Sequence, residues 1–308
     1  MNLLVVGSVA FDAIESPLGK TDKILGGAGT YIALAASNFV KDTGVVSVVG
    51  EDFPAEHLDL LKAHSCDLEG LQIKKGEKTF FWSGRYHQNM NQRDTLITEL
   101  NVLEHFDPII PEQYKNPEYL MLGNLSPQVQ SLVIDRLESR PKLIVMDTMN
   151  FWMDIAMDDL KSTISKVDVL TINDEEARQL SGEWSLVKAA KAILKMGPKY
   201  LIIKKGEHGA LLFDQNLNMF FCPAMLLEEV FDPTGAGDTF AGGFIAHIAK
   251  TKDISFANMK KAIVYGSALA SLTVEKFGTK QLENLSKSDL NARIQAFKNL
   301  IEVDVDLL

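Results

Sequence analysis

Cysteine is nearly absent from this chain. Cys66 and Cys222 are the only two in 308 residues, far apart and without the close spacing of a metal site. No disulfide framework can be built from them, and a reducing, cytoplasmic compartment is expected. Long apolar runs are missing too: none approaches the roughly 18 uncharged residues of a membrane helix, so no membrane partner is expected. Residues 1–10 are apolar but short, lack a basic leader and meet Asp12 at once, and they read as a first strand rather than a signal segment. Basic charge is in deficit, and the net charge of −10 leaves no basic face for nucleic acid. A small anion is still compatible, because it needs only local backbone dipoles and one or two cations. His57, His64, His87, His105, His208 and His247 form no pair of metal-binding spacing. There is no internal repeat, low-complexity tract or Pro/Gly-rich linker.

What is present is an ordinary globular composition, 46% hydrophobic and 23% charged, enough to bury a large core. Residues 3–6 are a continuous apolar run ending at Gly7-Ser8, as expected of a strand buried on both faces. Further runs of this kind lie at 45–49, 119–122, 143–146, 167–172 and 200–204. Helical patterns at 54–64, 128–139, 175–180 and 186–196 separate them, which predicts a mostly parallel central sheet with helices on both faces. Residues 68–103 alternate instead and carry Phe80, Phe81, Trp82, Arg85, Tyr86 and Arg93, the pattern of an exposed sheet. Its aromatics fit a lid, an oligomer surface or plain core, and Arg85 and Arg93 read as solvated charges either of which could instead point into a pocket. The reading is one α/β domain, 1–308, with a small β-sheet lid made from about 11–25 and 70–105. The tail beyond Leu282 reads as a surface helix.

The chemistry centres on Asp232-Pro233-Thr234-Gly235-Ala236-Gly237-Asp238-Thr239-Phe240-Ala241-Gly242-Gly243-Phe244. An irregular or extended segment, 226–231, precedes it. Phe240, Ala241, Phe244, Ile245, Ile248 and Ala249 then recur at helical spacing. Gly235, Ala236 and Gly237 therefore lie where the chain enters a buried helix, with unpaired N–H groups and the positive dipole end available to an anion. A carboxylate in that first turn repels an anion. Asp238 makes sense there if it takes a proton from a hydroxyl that attacks the anion. Alone, a Gly-x-Gly-Asp could equally be a tight turn with a helix-capping acid.

Other positions are suggestive. Asp12 lies just beyond a buried strand, where open α/β sheets bind ligands; solvated loop acid and ligand contact are equally good readings by position. Gly26 and Gly27 lead into a small-residue helix containing Tyr31, and permit close backbone approach or simply a flexible turn. Gly19-Lys20-Thr21 resembles the end of a P-loop, but position 14 is Ile and no strand-to-helix context follows, so it is rejected. Asn173-Asp174-Glu175-Glu176 follows a strand and can cap a helix. Lys204-Lys205-Gly206-Glu207-His208-Gly209 joins two strands, as a hairpin turn would.

The signature at 232–244, together with Gly7 to Asp12, Gly26-Gly27, Asn173 to Glu176 and Gly206 to Gly209, resembles the PfkB carbohydrate kinases, the family of ribokinase, bacterial fructokinases and adenosine kinase. The resemblance covers essentially the whole chain. It implies a ribokinase-like fold and ATP-dependent transfer of a γ-phosphoryl group to a hydroxyl of a small sugar. Asp238 would be the general base and Gly235, Ala236 and Gly237 the anion hole. Asp12, Gly26, Gly27 and Tyr31 would bind the acceptor. Asn173, Glu176, Lys204, Gly206, Gly209 and Gly278 would serve ATP, with Glu176 on Mg2+ through water. Asp232 and Thr234 would border a monovalent cation such as K+. The lid would pair in a homodimer. Two sugar-reading amides of ribokinase-type sequences are replaced here, by Ala10 and Tyr31. An aromatic at 31 could stack on a nucleobase, so a nucleoside kinase is the alternative acceptor reading. A catalytically silent sugar- or nucleotide-sensing protein is the alternative from another class, and an intact Gly235–Asp238 argues against it.

Overall fold

In a computed structural model, which describes residues 1–302, the central sheet has ten strands. Its path runs Met219–Cys222, Ala210–Asp214, Tyr200–Lys204, Val169–Asn173, Leu143–Asp147, Tyr119–Leu122, Leu3–Val6, Thr43–Gly50, Cys66–Asp67, with Leu71–Lys74 also pairing on Thr43–Gly50. All pairs are parallel except the hairpins Tyr200–Lys204/Ala210–Asp214 and Ala210–Asp214/Met219–Cys222. Alternate strand residues face opposite layers. Leu3, Val5 and Val45 pack with helices Ala28–Ala36, Ala236–Thr251 and Phe256–Thr273. Leu4, Val6 and Val46 pack with Pro127–Arg136, Met157–Ile164, Asp174–Ser181 and Leu186–Leu194. Both faces are covered, which is why the strands read as unbroken apolar runs.

The second sheet takes Gly19–Lys20, Ala10–Ser16, Phe81–Tyr86 and Arg93–Glu99 in that order, with Ile24–Gly26 beside Ala10–Ser16. Asp12 sits opposite Trp82, and after an irregularity at Ser83/Gly84 Tyr86 sits opposite Arg93. Directly opposed residues share a sheet face, so Asp12, Trp82, Tyr86 and Arg93 are on one side.

Some expectations need correction. Leu71–Lys74 runs parallel to Thr43–Gly50 and belongs to the central sheet, so the lid hairpin begins at Phe81 rather than near residue 70. Asp12 is inside lid strand Ala10–Ser16 rather than in a loop. Strand Met219–Cys222 and helices Asn150–Ile155 and Met157–Ile164 were not read from the sequence, each being only 4 to 8 residues long. The last helix, Lys287–Ile301, is more than a surface element, because Leu290 and Phe297 enter the main core. Among the described residues no helix is long and apolar enough to cross a membrane.

Helix Ala236–Thr251 is packed without room for side chains at two points. A Cβ at Gly242 would lie 2.5 Å from the Ile32 carbonyl oxygen, and one at Gly243 would lie 2.7 Å from Leu269 Cδ1 and 3.1 Å from Gly266 Cα. These two glycines let neighbouring helices approach and so fix where the helix begins. Gly242→Ala should therefore cost about 1–3 kcal/mol through overpacking against backbone. A denaturant midpoint equal to the parent's would show that the helices are not this close.

Candidate active site

The helix starts at Gly235, whose φ of 73° suits glycine. Tyr31 lies directly beneath it: a Cβ at Gly235 would be 2.5 Å from three Tyr31 ring atoms. Ala236 N–H is bonded to the Pro233 carbonyl at 3.1 Å, whereas the N–H groups of Gly235 and Gly237 have no acceptor among the described residues. Free donors of this kind at a helix start can meet an anion. Lys204 approaches from strand Tyr200–Lys204, its Nζ 3.1 Å from where a Cβ of Gly237 would be, and donates to Asp147 Oδ2 at 2.7 Å. Burial pulls the Lys204 ammonium down, but the charges of Asp147 and Glu176 outweigh it and hold the group above its ordinary value. It stays charged. Lys205 turns away, its Nζ 6.0 Å from the Phe221 ring centre.

Asp238 is half-buried in the first helical turn. Burial pushes its carboxyl up and the charge of Asp147 adds to this, against Lys204 and Arg93. A carboxylate so raised is a better base than a free one, provided the pH is high enough to ionise it.

Beneath the loop, Asp232 is 1% exposed. Its two oxygens accept from Thr234 N–H and Gly278 N–H, each at 2.8 Å. Burial raises its carboxyl, and no lysine, arginine or histidine pairs with it among the described residues. Gly278 thus serves the floor of the anion loop, and a Cβ there would be 2.5 Å from Ile24 Cδ1 of the lid. The lid is tied to the loop twice more: Thr234 Oγ1 donates to Tyr86 Oη at 3.1 Å, and Ser16 Oγ donates to the Phe231 carbonyl at 2.8 Å.

Among the residues expected to bind the acceptor, Asp12 is 5% exposed and lies so close to Gly26 that any side chain there would collide with its carboxyl. Burial, then the charge of Asp232, push the Asp12 carboxyl up to about 7, against a hydrogen bond from Gly27 N–H. Trp82 shares its sheet face, the indole lying over Gly84 with the Arg93 guanidinium 5.5 Å from the ring centre. Tyr31 is placed otherwise than a base-stacking residue would be. It is 1% exposed, one ring face is covered by Gly235, and its hydroxyl has no partner.

On the nucleotide side, Asn173 and Glu176 form a reciprocal capping box at 2.7 Å each way. Burial raises the Glu176 carboxyl to about 7 despite Lys204 nearby. Gly206 and Gly209 form a turn with φ of 54° and 90°, closed by Lys205 N–H on the Gly209 carbonyl at 2.7 Å. The lid tip reaches this turn: Asn91 Nδ2 donates to Glu207 Oε1 at 3.0 Å. Sequence reading named Trp82 and Tyr86 only among the aromatics of a possible lid, and did not single out Asp147 or Asn91. Asp147 alone had a signal, an acid ending the apolar run of residues 143–146.

Unpaired N–H groups at a helix start, with the Asp238 carboxyl in the same turn and Lys204 beside them, are the arrangement expected of a phosphotransferase acting on an alcohol. The chain matches the pfkB family carbohydrate kinases over residues 2–285, and it belongs to that family. It is 30% identical over 258 residues to a cytidine kinase of Thermococcus kodakarensis, covering 82% of this chain and 91% of that one. A nucleoside kinase of Methanocaldococcus jannaschii superposes with a TM-score of 0.78 at 20% identity, covering 96% and 99% of the two chains. A ribokinase of Thermotoga maritima gives 0.74 at 20% identity, covering 95% and 99%.

The raised Asp12 carboxyl has a consequence for stability. Its folded value, about 7, lies above the ordinary 3.8, so between these the folded chain holds a proton that the unfolded chain has released. Its contribution is fully present below the ordinary value and is lost as pH rises through the folded one. Asp12→Asn is never charged and escapes that loss. Its melting temperature should exceed the parent's at about pH 8 and match it at about pH 4; equal temperatures at both would mean that Asp12 carries no burial penalty.

Proposed function

We propose that this kinase phosphorylates a nucleoside. The observation that carries the reading is the pairing of Asp12 with Trp82 on one face of the lid. An ionised carboxylate only accepts hydrogen bonds, which suits two neighbouring ribose hydroxyls, and an adjacent indole offers a flat apolar surface to a base. Similarity to a cytidine kinase supports the same choice over a simple sugar. Gly26 and Gly27 bring backbone to the ribose. Tyr31 acts from below, shaping the loop at Gly235.

In the reaction, the acceptor hydroxyl loses its proton to Asp238 and its oxygen bonds to the γ-phosphorus of ATP, while the bond to the bridging oxygen breaks and ADP departs. The N–H groups of Gly235 and Gly237 meet the charge on the transferring phosphoryl. Lys204 meets the phosphates, and Asn173, Gly206 and Gly209 hold the nucleotide. No group of three acidic, histidine or cysteine side chains able to hold a metal occurs among the described residues. That fits Mg2+ carried on the phosphates with Glu176 reaching it through water, where it would neutralise phosphate charge. Asp232, buried without a basic partner, fits a monovalent cation held with the Thr234 segment and the loop at Gly278. The outer lid face, with Ile97 half-exposed, supports a homodimer.

An acceptor panel with Mg-ATP tests the reading. Cytidine, adenosine or inosine should exceed ribose and fructose in kcat/KM by about tenfold or more, the scale of one well-read group; ribose as the best acceptor would overturn it. Asp238→Asn should bind ATP normally and lose about a hundredfold or more in kcat, and near-normal turnover would remove it as the base. Potassium should raise the rate over a bulky organic cation at equal ionic strength. Equal rates would remove Asp232 and Thr234 from cation binding.

A further inference from the structure

The site is short of positive charge. Asp12, Asp147, Glu176, Asp232 and Asp238 lie near enough to feel one another's charge, in a site that must also receive the phosphates of ATP, and Lys204 is already engaged by Asp147. Arg93, an exposed residue of strand Arg93–Glu99, is a further cation on the Asp12 side of the lid. It stands opposite Tyr86, whose hydroxyl is bonded to Thr234 in the anion loop, and its guanidinium lies over Trp82. No carboxylate pairs with Arg93 among the described residues, whereas its neighbour across the bulge, Arg85, is taken by Glu15 at 2.8 Å. Two residues away, Asn91 contacts Glu207, and its Oδ1 is 2.5 Å from where a Cβ of Gly206 would be. The segment 91–93 is thus held between the nucleotide turn at one end and the acceptor-binding face at the other.

We propose that Arg93 is a catalytic residue supplied by the lid, its guanidinium contacting the phosphoryl group as it passes from ATP to the acceptor. As a smaller contribution, the charge of Arg93 also lowers the carboxyls of Asp12, Asp238 and Glu176, in keeping with its place on the Asp12 side of the lid. A guanidinium is planar, always charged and forked to match phosphate oxygens. As the acceptor oxygen–phosphorus bond forms, the bond to the bridging oxygen of ADP breaks and the hydroxyl proton goes to Asp238. Arg93 forms and breaks no bond; it offsets charge that the surrounding carboxylates would otherwise oppose. Because it is carried on the lid, full activity requires the lid to be closed over both substrates, with Asn91 as the positioning residue.

The proposal rests on phosphotransfer and not on the identity of the acceptor, so it is tested with whichever acceptor of the panel is best. Arg93→Ala should lower kcat by about 10²–10³, the scale of losing one oriented charge donor, with the KM of the acceptor little changed. Guanidinium ion added in solution should restore part of the lost rate, and Arg93→Lys should retain part of it; a merely structural role would give neither. Asn91→Ala should lower kcat less and gain nothing from guanidinium. A kcat for Arg93→Ala within about threefold of the parent, well short of the loss of an oriented donor, would overturn the proposal. So would an unchanged kcat with a steep rise in KM for a sugar-phosphate acceptor, which would assign Arg93 to an anionic group of the substrate. Failure of the nucleoside reading appears separately, as a sugar leading the panel.

Discussion

The close approach of helix Ala236–Thr251 to its neighbours is the constraint on which the site depends. Gly242 lies against the Ile32 carbonyl and Gly243 against Gly266 and Leu269, so the helix cannot slide or tilt without collision. Its first turn is thereby fixed, and with it the direction of the free N–H groups of Gly235 and Gly237. Tyr31, from helix Ala28–Ala36, supports Gly235 from below. An anion site built this way is preorganised: the dipoles are in place before charge develops and need not reorganise when it does.

Around that fixed point the protein concentrates carboxylates in a partly desolvated space. Burial raises Asp12, Glu176, Asp232 and Asp238 alike. Such a cluster carries a desolvation cost that bound cations or hydroxyls would offset, which would couple ligand binding to stability. The Lys204–Asp147 pair at 2.7 Å is the fixed counterweight. It holds a charged ammonium beside Gly237 in a place where burial alone would favour the neutral amine. The lid completes the arrangement, since its strands carry Asp12, Trp82, Tyr86 and Arg93 on one face and are tied to the anion loop at Thr234 and Phe231.

The parallel sheet was legible in the sequence because strands buried on both faces leave continuous apolar runs, as at Leu3–Val6 and Tyr119–Leu122. The turn into the anion helix was legible because Gly235, Gly237 and Asp238 are consecutive in the chain and act through local backbone. The same locality made Asn173 and Glu176 readable as a helix start, which the capping box bears out. The membership of Leu71–Lys74 in the central sheet was not legible, since which partner a short half-buried strand chooses is a long-range matter.

By itself, then, the sequence determined the α/β class, the glycine turn into a buried helix and the acid in its first turn, since each is written in local periodicity and local backbone chemistry. Tertiary structure decided what each side chain faces. It put Tyr31 under Gly235, set Lys204 Nζ beside Gly237 while Lys205 turns toward Phe221, and added Asp147 as the partner of Lys204 from another strand. It also set Trp82 beside Asp12 and Arg93 beside Tyr86, across a strand pairing and a bulge that no local pattern encodes. Those contacts join residues far apart in the chain, and only the packing of the sheets and helices brings them together.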